Sequence, residues 1–125
     1  MVPIMKKTKI MIVEDEILIA MNMKSDLIGM GYEVCELVTT GEAAIKNTEH
    51  ESPDVVMMDI ILNGEMNGID AAREIRSRYG IPIIFITGCE DEGTKELAED
   101  VGPVEYFVKP VELVDLKSAI DKAIS

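Results

Sequence analysis

The residues that could do chemistry in this chain are carboxylates that follow two short apolar runs. Glu14 and Asp15 come directly after Val13, and Asp59 comes directly after the run at residues 55–58. If these runs are neighbouring parallel strands, the carboxylates converge at one edge of the sheet, where their repulsion requires a proton or a cation. Because all three groups offer oxygen ligands, the sequence predicts Mg²⁺, with Mn²⁺ as the alternative, rather than Zn²⁺, which would want His or Cys.

Two further polar residues follow the other apolar runs near the expected centre of the sheet. Thr87 comes after residues 83–86, and Lys109 comes after residues 105–108. A carboxylate beside a divalent ion, opposite a lysine and a hydroxyl, supplies the components of phosphoryl transfer: a nucleophile, a metal ion and donors for the phosphoryl oxygens. We therefore predict that Asp59 is the nucleophile, that Lys109 pairs with it at rest and with a phosphoryl oxygen afterwards, and that Thr87 donates to another oxygen.

The elements that must position these residues alternate between apolar runs and stretches with helical spacing. Four of the runs are nearly uninterrupted, as in strands buried on both faces, whereas the second contains Glu33 and Glu36 and is predicted at an edge. Glu16 is expected to cap the first helix. Strands alternating with helices predict right-handed crossovers and a three-layer α/β sandwich. The predicted strands are residues 9–13, 32–38, 54–58, 81–86 and 105–108, and the first helix is indicated by the spacing of Ile17, Ala20, Met21, Leu27 and Ile28.

Composition narrows the class of protein. With 125 residues, 47% of them hydrophobic, the chain is predicted to form a single domain over residues 1–125, with residues 1–8 as a loose terminal segment. A net charge of −12 argues against direct nucleic-acid binding, which needs a basic surface. No stretch approaches the roughly 18 apolar residues of a membrane span, and Cys35 and Cys89 lack metal-type spacing. We therefore expect a cytoplasmic protein without membrane contact.

Together these residues resemble the response-regulator receiver domains of two-component signal transduction systems, over essentially the whole chain. Each motif alone is weak, but the set in this order is highly specific. The resemblance implies a doubly wound, flavodoxin-like sheet of five parallel strands in the order 2-1-3-4-5, with five helices. It rests on IVEDE with Glu14 and Asp15, VVMMDI with Asp59, FITG with Thr87, and YFVKP with Tyr106, Lys109 and Pro110.

For the phosphorylation site, the resemblance implies that a histidine kinase or phosphotransfer protein donates a phosphoryl group to Asp59. Asp15 would be a direct Mg²⁺ ligand, Glu14 would act partly through water, and the backbone carbonyl of Ile61 would complete the protein ligands. The domain would catalyse only its own phosphorylation and dephosphorylation, and so is not predicted to be an enzyme acting on other substrates.

The resemblance also implies a conformational switch. The Thr87 hydroxyl would move toward the phosphoryl group and the Tyr106 ring would turn inward, which remodels the surface of the fourth helix, fifth strand and fifth helix. The Lys109–Pro110 peptide bond would be cis. The polar segment at residues 91–103 predicts a short or mobile fourth helix, as suits a switching surface.

The sequence departs from the family pattern around the site. The loop after Asp59 is one residue longer than usual and has Asn63 in place of a proline, although Gly68 still closes it. Ile61 and Cys89 lie two residues past Asp59 and Thr87, at positions that influence the water that hydrolyses the acyl phosphate. Neither side chain readily orients a water, so we predict slow autodephosphorylation.

Other functions remain open at this point. A metal-dependent phosphohydrolase would need a general acid two residues after Asp59, where Ile61 stands. A receiver that binds partners without phosphorylation is opposed by the intact set of functional residues, and a flavin-binding domain by the absence of a Gly/Ser/Thr-rich loop after the first strand. We expect the output to pass to a downstream protein or a fused output domain, with activation-dependent homodimerisation as a further option. The domain either acts alone or is part of a longer regulator or hybrid kinase.

Overall fold

A computed structural model describes residues 6–88 and 90–125 as five strands alternating with five helices. The strands form one parallel sheet in the order β2-β1-β3-β4-β5, which confirms the predicted fold class and strand order. The strands are β1 (Lys9–Val13), β2 (Glu33–Val34), β3 (Val55–Met58), β4 (Ile83–Thr87) and β5 (Glu105–Val108). The helices are α1 (Ile17–Gly29), α2 (Gly41–Glu51), α3 (Gly68–Tyr79), α4 (Glu92–Asp100) and α5 (Leu113–Ile124). The loose segment predicted at residues 1–8 falls mostly on residues 1–5, which lie outside the described residues.

The sheet has two apolar faces, each covered by helices. In β1, Met11 and Val13 belong to the core under α2, α3 and α4, whereas Ile10 and Ile12 belong to the core under α1 and α5. This alternation follows from the two-residue period of a strand. The uninterrupted apolar runs of β1, β3 and β4 are therefore strands buried on both sides, as predicted. The same prediction is wrong for β5, whose four residues are only partly buried because this strand lies at the edge of the sheet.

Side-chain caps define where three of the helices begin. The side chain of Thr40 accepts a hydrogen bond from the N–H of Ala43 at the start of α2, and Asn67 and Asp91 cap α3 and α4 in the same way. Glu16 occupies the N-cap position of α1, but its side chain accepts no capping hydrogen bond. The predicted capping role of Glu16 is therefore wrong for its side chain.

The strand predicted at residues 32–38 is shorter in the structure, where β2 contains only Glu33 and Val34. Backbone bonds to β1 continue, but irregularly: the N–H of Cys35 donates to Ile10 O and the N–H of Val38 donates to Ile12 O. Three residues on the β2 side thus span two on β1, so one residue is extra, as in a β-bulge. The edge position that its two glutamates predicted is confirmed.

Helices α1 and α4 differ in how far the sequence predicted them. Ala20 of α1 is fully buried, but Ile17, Met21 and Ile28, whose spacing indicated the helix, are about half exposed. Helix α4 has nine residues and is the shortest of the five, in keeping with the prediction of a short helix. Within residues 6–88 and 90–125, no helix is long and apolar enough to span a membrane.

Candidate functional site

The backbone of the site is fixed by an extension of the sheet's hydrogen bonding. Glu14, Asp59 and Lys109 each follow the last residue of a strand, and each donates its N–H to the neighbouring strand or its continuation, at 2.9, 3.0 and 2.8 Å respectively. Because Val13 pairs with Met58, the next residues, Glu14 and Asp59, lie opposite each other. By the strand alternation, the side chains of all three point to the α1 and α5 side of the sheet.

A lysine joins the two buried carboxylates. The Lys109 Nζ lies 2.7 Å from Glu14 Oε1 and 3.0 Å from Asp59 Oδ2. The side chains are 3% exposed for Glu14, 10% for Asp59 and 26% for Lys109, so these ion pairs are largely shielded from solvent. Sequence reasoning paired Lys109 with Asp59 and did not predict its contact with Glu14, which was expected only as a metal ligand. The position of Glu14 directly after β1 was the available signal, because register places it opposite Asp59.

The carboxylates form a group that could hold a metal ion. One carboxylate oxygen from each of Glu14, Asp15 and Asp59 lies within 4.8 Å of the others. Glu14 Oε2 is buried and has no hydrogen-bond partner among the described residues, although a buried carboxylate oxygen normally has one. An all-oxygen set with one carboxylate atom unsatisfied fits a hard divalent cation such as Mg²⁺.

The burial and mutual proximity of these groups perturb their protonation. Burial, and then the proximity of Asp59, raise the pKa of Glu14 from 4.5 to about 7, although Lys109 opposes this shift. Burial lowers the pKa of Lys109, but hydrogen bonds and charge attraction from Glu14 and Asp59 outweigh it, so the net pKa is raised. The lysine is thus held as a cation between Glu14 and Asp59.

Thr87 and Tyr106 lie on the other side of the sheet. Thr87 is fully buried at the end of β4, and Tyr106 is half-buried on β5 in register with Phe85. The Tyr106 and Phe85 ring centroids are 6.3 Å apart, and Lys95 Nζ of α4 lies 6.0 Å from the Tyr106 centroid. Tyr106 therefore adjoins α4, and Thr87 pairs with Val108 of β5 on the same side of the sheet.

The loop that follows Asp59 is held closely against it. The Ile61 N–H approaches Asp59 Oδ1 at 3.4 Å, at the long limit of a hydrogen bond, while the Ile61 side chain is 64% exposed. Gly68 donates its N–H to Ile60 O at 2.7 Å, and a Cβ added at Gly68 would lie 1.9 Å from Asp59 O. Only glycine fits there, which explains why it closes the loop.

Two remaining predictions concern residues around Thr87 and Lys109. The Lys109–Pro110 bond, for which the resemblance implied a cis conformation, is cis. Cys89, predicted to influence hydrolysis together with Ile61, lies outside the described residues.

Sequence reasoning missed one residue near the site. Glu42, in the first turn of α2, accepts a hydrogen bond from the N–H of Met66 in the loop after Asp59, at 2.9 Å. No spacing or motif marks Glu42, because an acid at the start of a helix is ordinary.

The chain is similar to known receiver domains and response regulators. The family model for the response regulator receiver domain matches residues 10–121. The transcriptional regulatory protein PdtaR of Mycobacterium tuberculosis is 38% identical over 117 residues, which are 94% of this chain and 57% of that protein. The chain thus spans little more than half the length of this relative.

Solved structures show the same fold. The signal receiver domain of a modulated diguanylate cyclase from Desulfovibrio desulfuricans has a TM-score of 0.90 at 34% identity, covering 95% of this chain and 94% of that one. The receiver domain of a sensor histidine kinase from Pseudomonas aeruginosa, with a magnesium ion coordinated in its active-site cleft, has a TM-score of 0.84 at 29% identity, covering 95% and 98%.

Proposed function

The chain belongs to the response regulator receiver domain family, and from this premise we propose that it is a single phosphoacceptor domain whose Asp59 takes a phosphoryl group from a phosphohistidine donor. The donor is a histidine kinase or a phosphotransfer protein. The observation that carries this proposal is the Lys109 ammonium, which contacts both Asp59 and Glu14 in a nearly buried site. Such a lysine holds the acceptor carboxylate in place and lies within reach of an oxygen of an incoming phosphoryl group.

The proposed reaction is a direct transfer. An Asp59 carboxylate oxygen forms a bond to phosphorus while the P–N bond to the donor histidine breaks, and the imidazole leaves with that electron pair. Negative charge on the acceptor carboxylate is then replaced by charge on the phosphoryl oxygens. Lys109 stays close enough to pair with one of these oxygens, and Thr87 donates its hydroxyl to another.

The acidic group supports a metal requirement. Glu14, Asp15, Asp59 and the Ile61 carbonyl are the groups that would hold Mg²⁺, or Mn²⁺ in its place. When bound, the ion neutralises charge on the transferring phosphoryl group. The unpartnered Glu14 Oε2 is the observation in favour, because a cation nearby would satisfy it.

The output would follow from the switch residues. Movement of Thr87 and inward rotation of Tyr106 would alter the surface formed by α4, β5 and α5. Leu97 and Val114 are exposed on this surface. A downstream protein, a fused output domain or a second copy of the domain would read this surface. The net charge of −12 argues against nucleic acid as a direct partner of this domain. Phosphoryl donation by a kinase would take place in the cytoplasm.

The test is phosphorylation by acetyl phosphate with Mg²⁺, followed by intact-mass measurement. Wild type is expected to gain one phosphoryl group, and to gain none when EDTA replaces Mg²⁺. Asp59→Asn should gain none, while the control Asp100→Asn, at the exposed end of α4, should behave as wild type. Wild type that gains no phosphoryl group from acetyl phosphate or from a phosphorylated kinase would favour the phosphorylation-independent binding module. Turnover of a generic phosphomonoester would favour the phosphohydrolase.

The lifetime of the phosphorylated state is a separate prediction. Ile61, exposed and apolar beside Asp59, offers no group to orient an attacking water, so phospho-Asp59 is expected to decay over minutes or longer. Substitution Ile61→Asn should shorten the lifetime, since its amide could bind that water. The decay is monitored by intact-mass measurement after removal of acetyl phosphate. Loss of the phosphoryl group from wild type within seconds would contradict the prediction.

A further inference from the structure

The loop between β3 and α3, residues 60–67, is exposed in its middle part. It begins directly after Asp59 and includes Ile61, whose carbonyl belongs to the proposed metal site. Leu62 and Met66 pack against the core, but Asn63, Gly64 and Glu65 between them are all exposed. Polar anchors therefore add to these apolar contacts in fixing the geometry of the exposed part.

Those anchors come from the start of α2. Glu42 Oε1 accepts the Met66 N–H at 2.9 Å. Its other oxygen lies against Gly64, where an added Cβ would be 2.8 Å from Oε2 and where φ is +95°. Thr40 forms a parallel β-bridge with Asn63. The carboxylate of Glu42 therefore contacts the loop at two points, and the residue two positions earlier pairs with it at a third.

The loop is also tied at its end, so its metal-facing part lies between two attachments. Gly68 bonds to Ile60 and packs against Asp59 O, which fixes the segment where it leaves and rejoins the site. Glu42 fixes the outer part at Met66. Ile61 lies between these attachments in the chain.

An ordinary role for Glu42 is favourable interaction with the helix dipole at the N-terminus of α2. That role requires only negative charge near the first turn. The contacts with Met66 and Gly64 are specific to the carboxylate's position and reach a different element. The two roles can be separated, because an amide keeps the hydrogen-bond acceptor but loses the charge.

We propose that Glu42 is a positioning residue for the phosphorylation site: by holding the β3–α3 loop, it orients the Ile61 carbonyl toward the acidic group of Glu14, Asp15 and Asp59. This inference rests on the proposed function. The contacts of Glu42 are with the loop and not with the reacting groups. Its effect should therefore appear in the affinity for Mg²⁺ and disappear when Mg²⁺ is saturating.

The test is the Mg²⁺ dissociation constant of the unphosphorylated domain, measured by isothermal titration calorimetry. Glu42→Ala is expected to weaken Mg²⁺ binding about tenfold, as for other residues that orient a metal ligand. Glu42→Gln should stay within about twofold of wild type, since its amide oxygen can accept the Met66 N–H. Glu49→Ala removes the same charge from an exposed position of α2 and should also stay within about twofold.

A second measurement separates positioning from general damage. In phosphorylation by acetyl phosphate, Glu42→Ala should raise the Mg²⁺ concentration for half-maximal rate about tenfold while the maximal rate changes less than about twofold. Glu42→Ala that binds Mg²⁺ as wild type does would overturn the inference alone. If Glu42→Gln or Glu49→Ala weakened Mg²⁺ binding as much as Glu42→Ala does, the inference would be overturned, because loss of negative charge alone would then explain the effect. Wild type that binds no Mg²⁺ would overturn the proposed function and this inference together.

Discussion

Glu14 is buried deeply enough for its charge to oppose folding. Its pKa rises from 4.5 to about 7, with burial as the first cause. A carboxyl with a higher pKa in the folded state binds more protons when folded, so the free energy of unfolding falls as pH rises between these values. The stabilising contribution of the protonated form is complete below 4.5 and is lost as pH rises through about 7.

Substitution Glu14→Gln should therefore change the pH dependence of stability. In EDTA, the variant is expected to be more stable than wild type above about pH 7, by on the order of 2 kcal/mol, and to lose this advantage toward about pH 4. Urea unfolding across this range measures the difference, with Glu16→Gln on the exposed neighbouring acid as control. Parallel pH profiles for wild type and Glu14→Gln would show that Glu14 titrates normally.

Substitution of Gly68 tests how closely the β3–α3 loop packs against Asp59. Gly68→Ala would place a methyl group 1.9 Å from Asp59 O, so the backbone of Asp59 must shift. We expect a loss of stability on the order of 2 kcal/mol, together with slower phosphorylation. Gly29→Ala, with no atom within 4 Å of the added carbon, should be neutral or slightly stabilising. Thermal unfolding and acetyl phosphate kinetics of both variants make the comparison, and equal behaviour would contradict the packing.

At the scale of elements, α1 is held by few of its apolar residues. Leu27 is fully buried against the sheet, whereas Leu18 is 74% exposed on the same helix. Leu27→Ala should cost on the order of 3 kcal/mol through lost burial and a cavity. Leu18→Ala should change stability by less than about 0.5 kcal/mol. Denaturant unfolding of the two variants is the measurement, and a comparable loss in both would contradict the assignment of the packed face.

The helices and strands were predicted from the sequence pattern only in part. Uninterrupted apolar runs identified four strands, but they did not separate the buried β1, β3 and β4 from β5, which lies half-buried at the edge of the sheet. Helical spacing identified α1 but did not separate buried Ala20 and Leu27 from half-exposed Ile17 and Met21, since this helix is apolar on most sides. The shortening of β2 depended on an extra residue opposite β1, which composition does not reveal.

At the site, strand ends were predictable and side-chain contacts were not. The rule that ligands bind at the carboxyl ends of parallel strands selected Glu14, Asp59 and Lys109, and the sheet places them together. The contact of Lys109 with Glu14 depends on how far a flexible side chain reaches. The Glu42 contact joins α2 to a loop 24 residues away, and nothing local in the sequence encodes it.

On the scale of the whole molecule, the groups of the proposed site lie on two sides of the sheet. Glu14, Asp59 and Lys109 lie on the side of α1 and α5, while Thr87 and Tyr106 lie on the side of α4. In the switch proposed above, a signal from Asp59 to α4 would therefore have to pass around or through the end of β4. Thr87 is fully buried at that end, and we propose that it carries the signal.

The central proposal is that Asp59 carries the phosphoryl group as an acyl phosphate. The most direct measurement is to phosphorylate wild type with acetyl phosphate and Mg²⁺, reduce the product with borohydride, and sequence the peptides by mass spectrometry. Reduction of an aspartyl phosphate leaves homoserine, so we predict homoserine at position 59 and unchanged aspartate or glutamate at the other acidic positions. Homoserine at another position, or none at position 59 in a protein that had gained a phosphoryl group, would contradict it.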